Sequence, residues 1–390
     1  MSEYKWTSHI RRAAKPHGIE CAKIDFPDNL NNEGEVRMNI TTVGIDLAKD
    51  IITVHAQDAQ GRCVLSRNFR FKELAEWLVQ LPVGCLIGME ACSTAHHWAR
   101  RMQALGLEPR LMAAEFVQAF RKSRSAKNDH NDAEAIAIAV RQPTMRFVAV
   151  KNEEQQSRLA WHRVREGWKE ERTALINRCR GLLLEFGFPI ARSAAAFQRG
   201  LKTCLQEEAL PPNLCRLLAQ IDIKLQQLDQ QLAECDREIA QSARDDEAAR
   251  RLQAVSGVGI ITADAVCASV GNARDFKNGR QFAAWIGLTP RQYSSGGKTQ
   301  LGRISRRGDA YLRSLLVQGA RSTLQATLKK APDKLNRMQQ WIIRLYGRVG
   351  YHKTLVAIAN KHARQLWALL AKGETYDLNA WQQYAIGEPS

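Results

Sequence analysis

The chain has 390 residues, enough for two or three domains that each bury a hydrophobic core. Lysine and arginine number 57 against 40 acidic residues, and the resulting net charge of +17 favours a polyanionic partner, nucleic acid foremost. The nine cysteines form no C-x-x-C pair and no apolar stretch reaches the roughly 18 residues that span a bilayer, which argues against a zinc ribbon and a membrane protein and predicts a cytoplasmic chain.

Residues 1–37 are polar and aperiodic, and we expect them to form a poorly ordered N-terminal extension. From residue 38 to residue 150 the pattern is that of an α/β domain. Three β-rich runs, TTVGIDL, IITVHAQD and GRCVLSRNFR, precede a helical FKELAEWLVQL, the apolar run VGCLIGME and the helix TAHHWARRMQAL. Three antiparallel strands followed by alternating strands and helices are the order of an RNase H-like sheet.

Acidic residues stand at the ends of two predicted strands and at the start of one helix. Asp46 ends the first strand and Glu90 ends VGCLIGME, so both would reach one edge of the sheet if the strands are neighbours. In SAKNDHNDAEAIAIAV, Asp129 and Asp132 are three residues apart, which puts both on one helix face. Four carboxylates in one place need a cation, and Mg²⁺ or Mn²⁺ accepts such oxygen ligands. Two such ions can hold the attacking and leaving oxygens of a phosphoryl transfer.

Each of these acids also has a purely structural interpretation. Asp46 could belong to a turn, and Glu90 could favour a helix start through the helix dipole. Asp129 or Asp132 could cap the helix that follows. The four acids indicate a metal site only when they are taken together.

Residues 151–250 read as long helices. In LLAQIDIKLQQLDQQLAECDREIA the apolar residues from Leu218 to Ile239 alternate three and four apart, which is a coiled-coil seam. An earlier basic helix, SRLAWHRVREGWKEERTALINRCRGLLLEFG, is ended by Gly187 and Pro189. The two helices could pair within one chain as an antiparallel hairpin or between chains as a dimer element, and the sequence leaves both open.

Residues 251–390 begin with SGVGIITADAVCASVG, where Gly257 and Gly259 form a turn between two helical patterns. This pattern resembles a helix-hairpin-helix, whose backbone N–H groups can bind a phosphate. A tight connection between helices that binds nothing explains the glycines equally well.

Further along, QYSSGGKTQLGRISRRGD holds Ser294 and Ser295 before two glycines. A nucleophilic hydroxyl needs an exposed, flexible position and nearby positive charge that steadies the phosphate, and this segment predicts both. The alternative is a Gly/Ser loop that only binds the nucleic-acid backbone. The predicted nucleic-acid contacts are Lys127, Arg291, Lys298, Arg303, Arg306, Arg307 and Arg313.

Taken together, these stretches resemble the DEDD-type transposases of bacterial insertion sequences, relatives of the Piv DNA invertases. The matching segments are VGIDLAKD, GMEAC, KNDHNDAEAIA, EFG, SGVGIITADAVCASVG and FAAWIGLTPRQYSSGGKTQLGRISRRGDAYLR, within residues 38–370. The resemblance implies a RuvC-like catalytic domain, a coiled coil and a small, mainly α-helical C-terminal transposase domain. It also implies that the four acids bind metal ions and that a serine of the SSGG segment is the nucleophile, with Ser294 favoured over Ser295.

The same resemblance implies donor and target DNA as substrates, with a noncoding guide RNA transcribed from the element supplying the sequence specificity. Because recombination holds two DNA segments at once, and because the seam exceeds what a linker needs, we expect a homo-oligomer: a dimer at least, and a tetramer in the synaptic complex. A composite site would then join one protomer's serine to another's acids. Two alternatives are a structure-specific endonuclease of the Holliday-junction-resolvase type and a non-catalytic nucleic-acid-binding protein.

Overall fold

The computed structural model describes residues 39–121, 128–206 and 210–377. It shows an N-terminal sheet domain, a pair of long helices and a mainly helical C-terminal part. The predicted N-terminal extension and the predicted nucleic-acid contact Lys127 lie outside the described residues.

The N-terminal sheet has six strands in the order β3-β2-β1-β4-β5-β6. Strand β2 runs antiparallel to β1 and β3, whereas β4 is parallel to β1, β5 is parallel to β4, and β6 closes the far edge antiparallel to β5. This order is consistent with the predicted RNase H-like arrangement. The strands are β1 (Thr42–Leu47), β2 (Ile52–Gln57), β3 (Cys63–Phe69), β4 (Leu86–Glu90), β5 (Glu108–Met112) and β6 (Phe147–Val148).

Helices cover both faces of this sheet. Alternate residues of β1 and β4, such as Ile45 and Met89, are fully buried in one core with Leu74 and Trp98 from the first two helices. The opposite faces of β1 and β4 lie against the helix that carries the predicted aspartate pair. The helices of this domain are α1 (Phe71–Leu78), α2 (Ala95–Ala104), α3 (Ala114–Val117) and α4 (Asp129–Val140).

Helix α4 lies directly on the backbone of β1 and β4. A Cβ atom at Gly44 would stand 2.1 Å from the carbonyl oxygen of Ala133 and 2.5 Å from the backbone nitrogen of Ala137. A Cβ atom at Gly88 would stand 2.9 Å from Cβ of Val140. The two glycines therefore form the seat of α4, and this seat places the start of the helix above the ends of β1 and β4.

The two long helices pair within one chain. Arg165 is ion-paired with Asp236, and Arg172 with Asp229, so residue numbers fall along one helix as they rise along the other. This is an antiparallel hairpin, one of the two arrangements that the sequence left open. The elements of this region are α5 (Glu153–Glu185), α6 (Ala194–Cys204) and α7 (Pro212–Asp245).

The predicted seam is buried inside this single-chain hairpin. Of the seven seam residues, six are buried and Leu232 is half-buried. The seam therefore packs within the chain and does not supply a separate surface for a second copy. The buried members are Leu218, Ile221, Leu225, Leu228, Cys235 and Ile239.

The C-terminal part packs its helices around one further core. It is mainly α-helical, as the resemblance implied, but the serine segment forms a two-stranded hairpin. Among the described residues, every helix is too short or too polar to span a bilayer. The elements are α8 (Glu247–Leu252), α9 (Ile260–Ser269), α10 (Gly279–Trp285), β7 (Pro290–Ser295), β8 (Lys298–Ile304), α11 (Ala310–Leu328), α12 (Arg337–Val349) and α13 (Tyr351–Lys372).

The turn between α8 and α9 is held against α11. A Cβ atom at Gly257 would stand 2.4 Å from the carbonyl oxygen of Gly319, and the Thr323 hydroxyl donates a hydrogen bond to the carbonyl of Ser256. Packing on α11 therefore explains why Gly257 is a glycine. Phosphate binding by this turn stays a prediction.

A buried polar cluster ties the helical hairpin to the C-terminal part. Asp264 is fully buried and is hydrogen-bonded to Arg158 (2.6 Å), Ser242 (2.8 Å) and Nε2 of His162 (2.9 Å). Nδ1 of His162 lies 2.9 Å from the Tyr311 hydroxyl at the start of α11. Burial alone would raise the pKa of Asp264, but the hydrogen bonds from His162 and Arg158 hold it below its usual value. Helices α5, α7 and α9 thus meet at the Asp264 carboxylate, and His162 links this cluster to a fourth helix, α11.

Replacing Gly44 with alanine should lower the free energy of unfolding of the sheet domain by about 2–3 kcal/mol, because the methyl group would overlap the α4 backbone. The control is Gly167→Ala in α5, where no atom lies within 4 Å of the added Cβ. This change should raise the stability by up to about 1 kcal/mol. Denaturant titration followed by intrinsic fluorescence measures both, and a Gly44→Ala protein as stable as the control would contradict the close approach.

Candidate active site

The structure brings Asp46 and Glu90 together at one edge of the sheet. They follow Ile45 and Met89, the last paired residues of the parallel strands β1 and β4. Side chains alternate along a strand, so both acids project to the face that carries the glycine seat of α4. The predicted convergence of these two strand ends is present in the fold.

The first turn of α4 adds the remaining two predicted acids. Asn128 caps the helix by accepting a hydrogen bond from the backbone N–H of Asn131. Asp132 is buried, with 5% of its surface exposed, whereas Asp129 is exposed at the rim. The two aspartates therefore do not have equal surroundings, although both belong to the same helix turn.

The negative charge of this group of acids affects the pKa of Asp46. Burial, followed by the neighbouring charges of Asp132, Glu90 and Asp129, raises the pKa of Asp46 from its usual 3.8 to about 6, although Arg121 acts to lower it. The other three predicted acids therefore lie close enough to Asp46 to repel its charge. A local excess of negative charge of this kind is relieved by a cation.

Arg121 lies between Asp132 and Glu90, and no motif of the sequence predicts this position. Its Nε is 2.7 Å from Oδ1 of Asp132, and its Nη2 is 4.0 Å from Oε1 of Glu90. The Arg121 side chain is one-fifth exposed, so this ion pair is largely shielded from solvent. A lone arginine in a basic segment has no periodicity that marks it, and only the fold shows where its guanidinium lies.

The acids suit a hard divalent cation in chemistry, because carboxylate oxygens are the ligands that Mg²⁺ and Mn²⁺ accept. Asp46, Glu90, Asp129 and Asp132 are the residues that would hold it. In the arrangement seen here, no three His, Cys, Asp or Glu side chains of the described ranges are placed to bind one ion together. The Arg121 guanidinium interacts with two of the acids instead.

The serine segment is a tight β-hairpin, which corrects the expected flexible loop. Gly296 and Gly297 form its two-residue turn with φ of +56° and +78°, values that a type I′ turn requires. Ser295 pairs with Lys298 across the turn, and Ser294 pairs with Thr299. Both serines are exposed, as predicted.

The two serines face opposite sides of the hairpin, because consecutive residues of a strand alternate. The Ser294 hydroxyl accepts a hydrogen bond of 2.7 Å from the side-chain amide of Gln292. Ser295 lies opposite Lys298, a cation that could steady a phosphate. Only one of the serines can therefore face a given phosphate.

The basic residues around the hairpin have two different situations. Arg313 donates from one Nη1 to the backbone carbonyls of Ile286 (2.8 Å) and Arg307 (3.0 Å), so it braces the base of the hairpin. Its predicted role as a nucleic-acid contact stays a prediction. The remaining predicted contacts of the segment are exposed: Arg291, Lys298, Arg303, Arg306 and Arg307.

The base of the hairpin touches the sheet domain of the same chain. Nε of Arg307 is 3.2 Å from Oε2 of Glu115 in α3. Helix α3 follows β5, whose last residue, Met112, pairs with Glu90. The hairpin therefore begins at the same edge of the sheet as the acids.

Two family models match the chain over its sheet domain and its C-terminal part. Residues 43–189 match the family model of the IS110 DEDD transposases, whose description is "Transposase". Residues 249–335 match the model described as the transposase IS116/IS110/IS902 family. Both matches define one class of protein, the transposases.

Curated relatives that are named transposases match most of the chain. It is 44% identical to a probable family 20 transposase of Pseudomonas aeruginosa, over 87% of this chain and 99% of that protein. It is 39% identical to the transposase for insertion sequence element IS1111A of Coxiella burnetii, over 88% and 93% of the two chains. It is 38% identical to the transposase for IS1328 of Yersinia enterocolitica, over 87% and 99%. The chain belongs to the IS110/IS116 family of insertion-sequence transposases.

The raised pKa of Asp46 predicts a pH-dependent penalty on the metal-free fold. Because its folded pKa of about 6 lies above its usual 3.8, the penalty is complete above pH 6 and disappears as the pH falls below about 4. Asp46→Asn should therefore stabilise the protein in EDTA near pH 7.5 by roughly 1–2 kcal/mol, allowing for partial solvent exposure, and should not stabilise it near pH 4.

Thermal unfolding of the two proteins at both pH values measures this difference. The exposed Asp50, beyond the end of β1, offers the matched control Asp50→Asn. The control should change the midpoint little at either pH. An Asp46→Asn effect that is equal at both pH values would contradict the charge repulsion.

Proposed function

We propose that this transposase cuts and rejoins DNA by divalent-metal-dependent phosphoryl transfer with a serine nucleophile. The observation that carries the proposal is the convergence of four carboxylates at one sheet edge, with Asp46 at the point where their charges repel. The sheet domain acts in this proposal as an RNase H-like, RuvC-like catalytic domain over residues 38–150. The coiled-coil region then covers residues 151–250, and the transposase domain covers residues 251–390.

The serine supplies the covalent step. Its hydroxyl oxygen attacks the scissile phosphorus and gives up its proton to solvent, one phosphodiester P–O bond breaks, and the departing deoxyribose oxygen takes up a proton from solvent. The bond to serine and the bond that breaks are both phosphodiester bonds, so they are similar in energy. A DNA hydroxyl can therefore attack the serine ester in the reverse direction and join strands. When bound, Mg²⁺ or Mn²⁺ would stabilise the charge that develops on the phosphate oxygens. The four acids are the residues that would hold this ion.

Two serines compete for this role. The family resemblance favours Ser294, whereas the position of Ser295 opposite Lys298 favours the second serine. The exposed cations of the hairpin bind the DNA backbone in either case. A noncoding RNA from the element, bound by the same basic surfaces, supplies the sequence specificity.

The test of the proposal is a denaturing gel of element DNA incubated with the protein, the RNA and Mg²⁺. A covalent protein–DNA adduct should appear, because the serine stays esterified to the cut strand. Alanine at the nucleophilic serine should abolish the adduct, while alanine at the other serine should reduce it by less than about tenfold. Asp46→Asn should abolish strand breakage and leave DNA binding intact.

The other outcomes of that gel separate the alternatives. Free nicked DNA without an adduct would indicate an endonuclease of the Holliday-junction-resolvase type. Unchanged DNA would indicate a non-catalytic nucleic-acid-binding protein. Full cleavage by Asp46→Asn would remove the acids from the mechanism.

We further propose a homo-oligomer, a dimer at least and a tetramer on two DNA duplexes, in which one protomer's serine attacks a phosphate held by another's acids. The requirement to hold two DNA segments supports this arrangement. The buried seam no longer does, because it packs within the chain. The contact between Arg307 and Glu115 supports the alternative of a serine and acids from the same chain.

Mixing two inactive variants distinguishes these arrangements. A composite site would restore about one quarter of wild-type cleavage in an equal mixture of Asp46→Asn and Ser294→Ala dimers, since half the dimers are mixed and each has one intact centre. If the gel identifies Ser295 as the nucleophile, Ser295→Ala replaces the second variant. A mixture as inactive as its components would show that each chain acts alone.

A further inference from the structure

Arg121 lies among the acids that would bind the divalent ion, and the inference drawn from its position rests on the proposed function. An arginine stays charged at any physiological pH, so it cannot escape a cluster by losing its proton. Here its Nε forms an ion pair with Asp132 at 2.7 Å from Oδ1, and its Nη2 lies 4.0 Å from Oε1 of Glu90. Both contacts use carboxylates that would hold the divalent ion.

Two cations cannot share these carboxylates without cost. Mg²⁺ and Mn²⁺ bind carboxylate oxygens at roughly 2.0–2.2 Å, which would place a doubly charged ion within a few ångströms of the guanidinium. Their repulsion is weakly screened, because the Asp132 side chain is only 6% exposed. The carboxylates therefore favour one cation or the other.

We propose that Arg121 is a built-in counter-cation that competes with the divalent ion for Asp132 and Glu90. It neutralises the acids while the metal is absent, and its guanidinium has to leave the cluster before the metal is fully bound. Arg121 thus sets how tightly the transposase holds its metal. It is a positioning residue for the acids and takes no part in bond breakage.

Removing the guanidinium should tighten metal binding. We expect Arg121→Ala and Arg121→Gln to lower the Mn²⁺ concentration for half-saturation on the order of tenfold, the usual size of coupling between linked sites. Arg121→Lys keeps the charge and should stay within about threefold of the wild type. Without metal, the neutral variants should unfold at a lower temperature than the wild type, and Mn²⁺ should remove this difference.

The measurement is Mn²⁺ binding to the full chain without DNA, followed by the electron paramagnetic resonance signal of free Mn²⁺. The matched control is Arg141→Ala, because Arg141 lies past the opposite end of α4 and donates to the carbonyl of Ala59. It removes one positive charge from the same domain and should leave the half-saturation concentration unchanged. Asp46→Asn removes one carboxylate of the site, so the Mn²⁺ binding that this variant loses is the binding at the acids.

The outcomes separate this inference from the proposed function. Tighter Mn²⁺ binding in both neutral variants, lost again when Asp46→Asn is added, supports the competition. Equal or weaker binding than in the wild type overturns it while leaving the metal site in place, because a merely structural arginine would not oppose the metal. Mn²⁺ binding that Asp46→Asn does not change in any of the proteins overturns the metal site, and the competition with it.

Discussion

The close contact of α4 with β1 and β4 fixes where the acids of this transposase can be. A side chain at Gly44 or Gly88 would collide with the helix, so the two glycines determine how deeply α4 sits and where its first turn lies. That turn brings Asp132 to the two acidic strand ends. The resulting repulsion then has to be offset, by Arg121 in this structure and by a divalent ion in the proposed reaction. The backbone packing and the electrostatics of the site are therefore parts of one arrangement.

The acids could be predicted from the sequence because their signals are local. An acid at the end of an apolar strand and a pair at i, i+3 depend on a few neighbouring residues. Arg121 could not be predicted, since its role depends on three separate segments meeting in space. The helix that packs on the coiled-coil seam could not be predicted for a similar reason. The same apolar spacing is compatible with a partner helix from this chain or from a second chain. Ion pairs such as Arg165 with Asp236 decide it, and they join residues far apart in sequence.

The serine segment shows a different limit. A strand with one buried face is recognised by its apolar alternation, but both faces of this hairpin are exposed and its strands are polar throughout. The remaining signal was the Gly-Gly pair, which is compatible with a loop or with a tight turn. The hairpin conformation matters for the chemistry, because it separates the directions of Ser294 and Ser295. In a flexible loop either hydroxyl could have reached the same phosphate.

The helical hairpin has the dimensions of a lever. Helix α5 has 33 residues and is therefore about 50 Å long, more than twice the width of a DNA duplex. One end is fixed at the buried carboxylate of Asp264, and the other end carries a small core of its own around Phe197. A tilt of roughly 10° at the fixed end would sweep the free end through about 9 Å, a displacement larger than one helical turn. A neighbouring molecule that moved the free end would therefore also act on Tyr311, which is bonded to His162 of α5. Tyr311 lies at the start of α11, the helix that follows the serine hairpin.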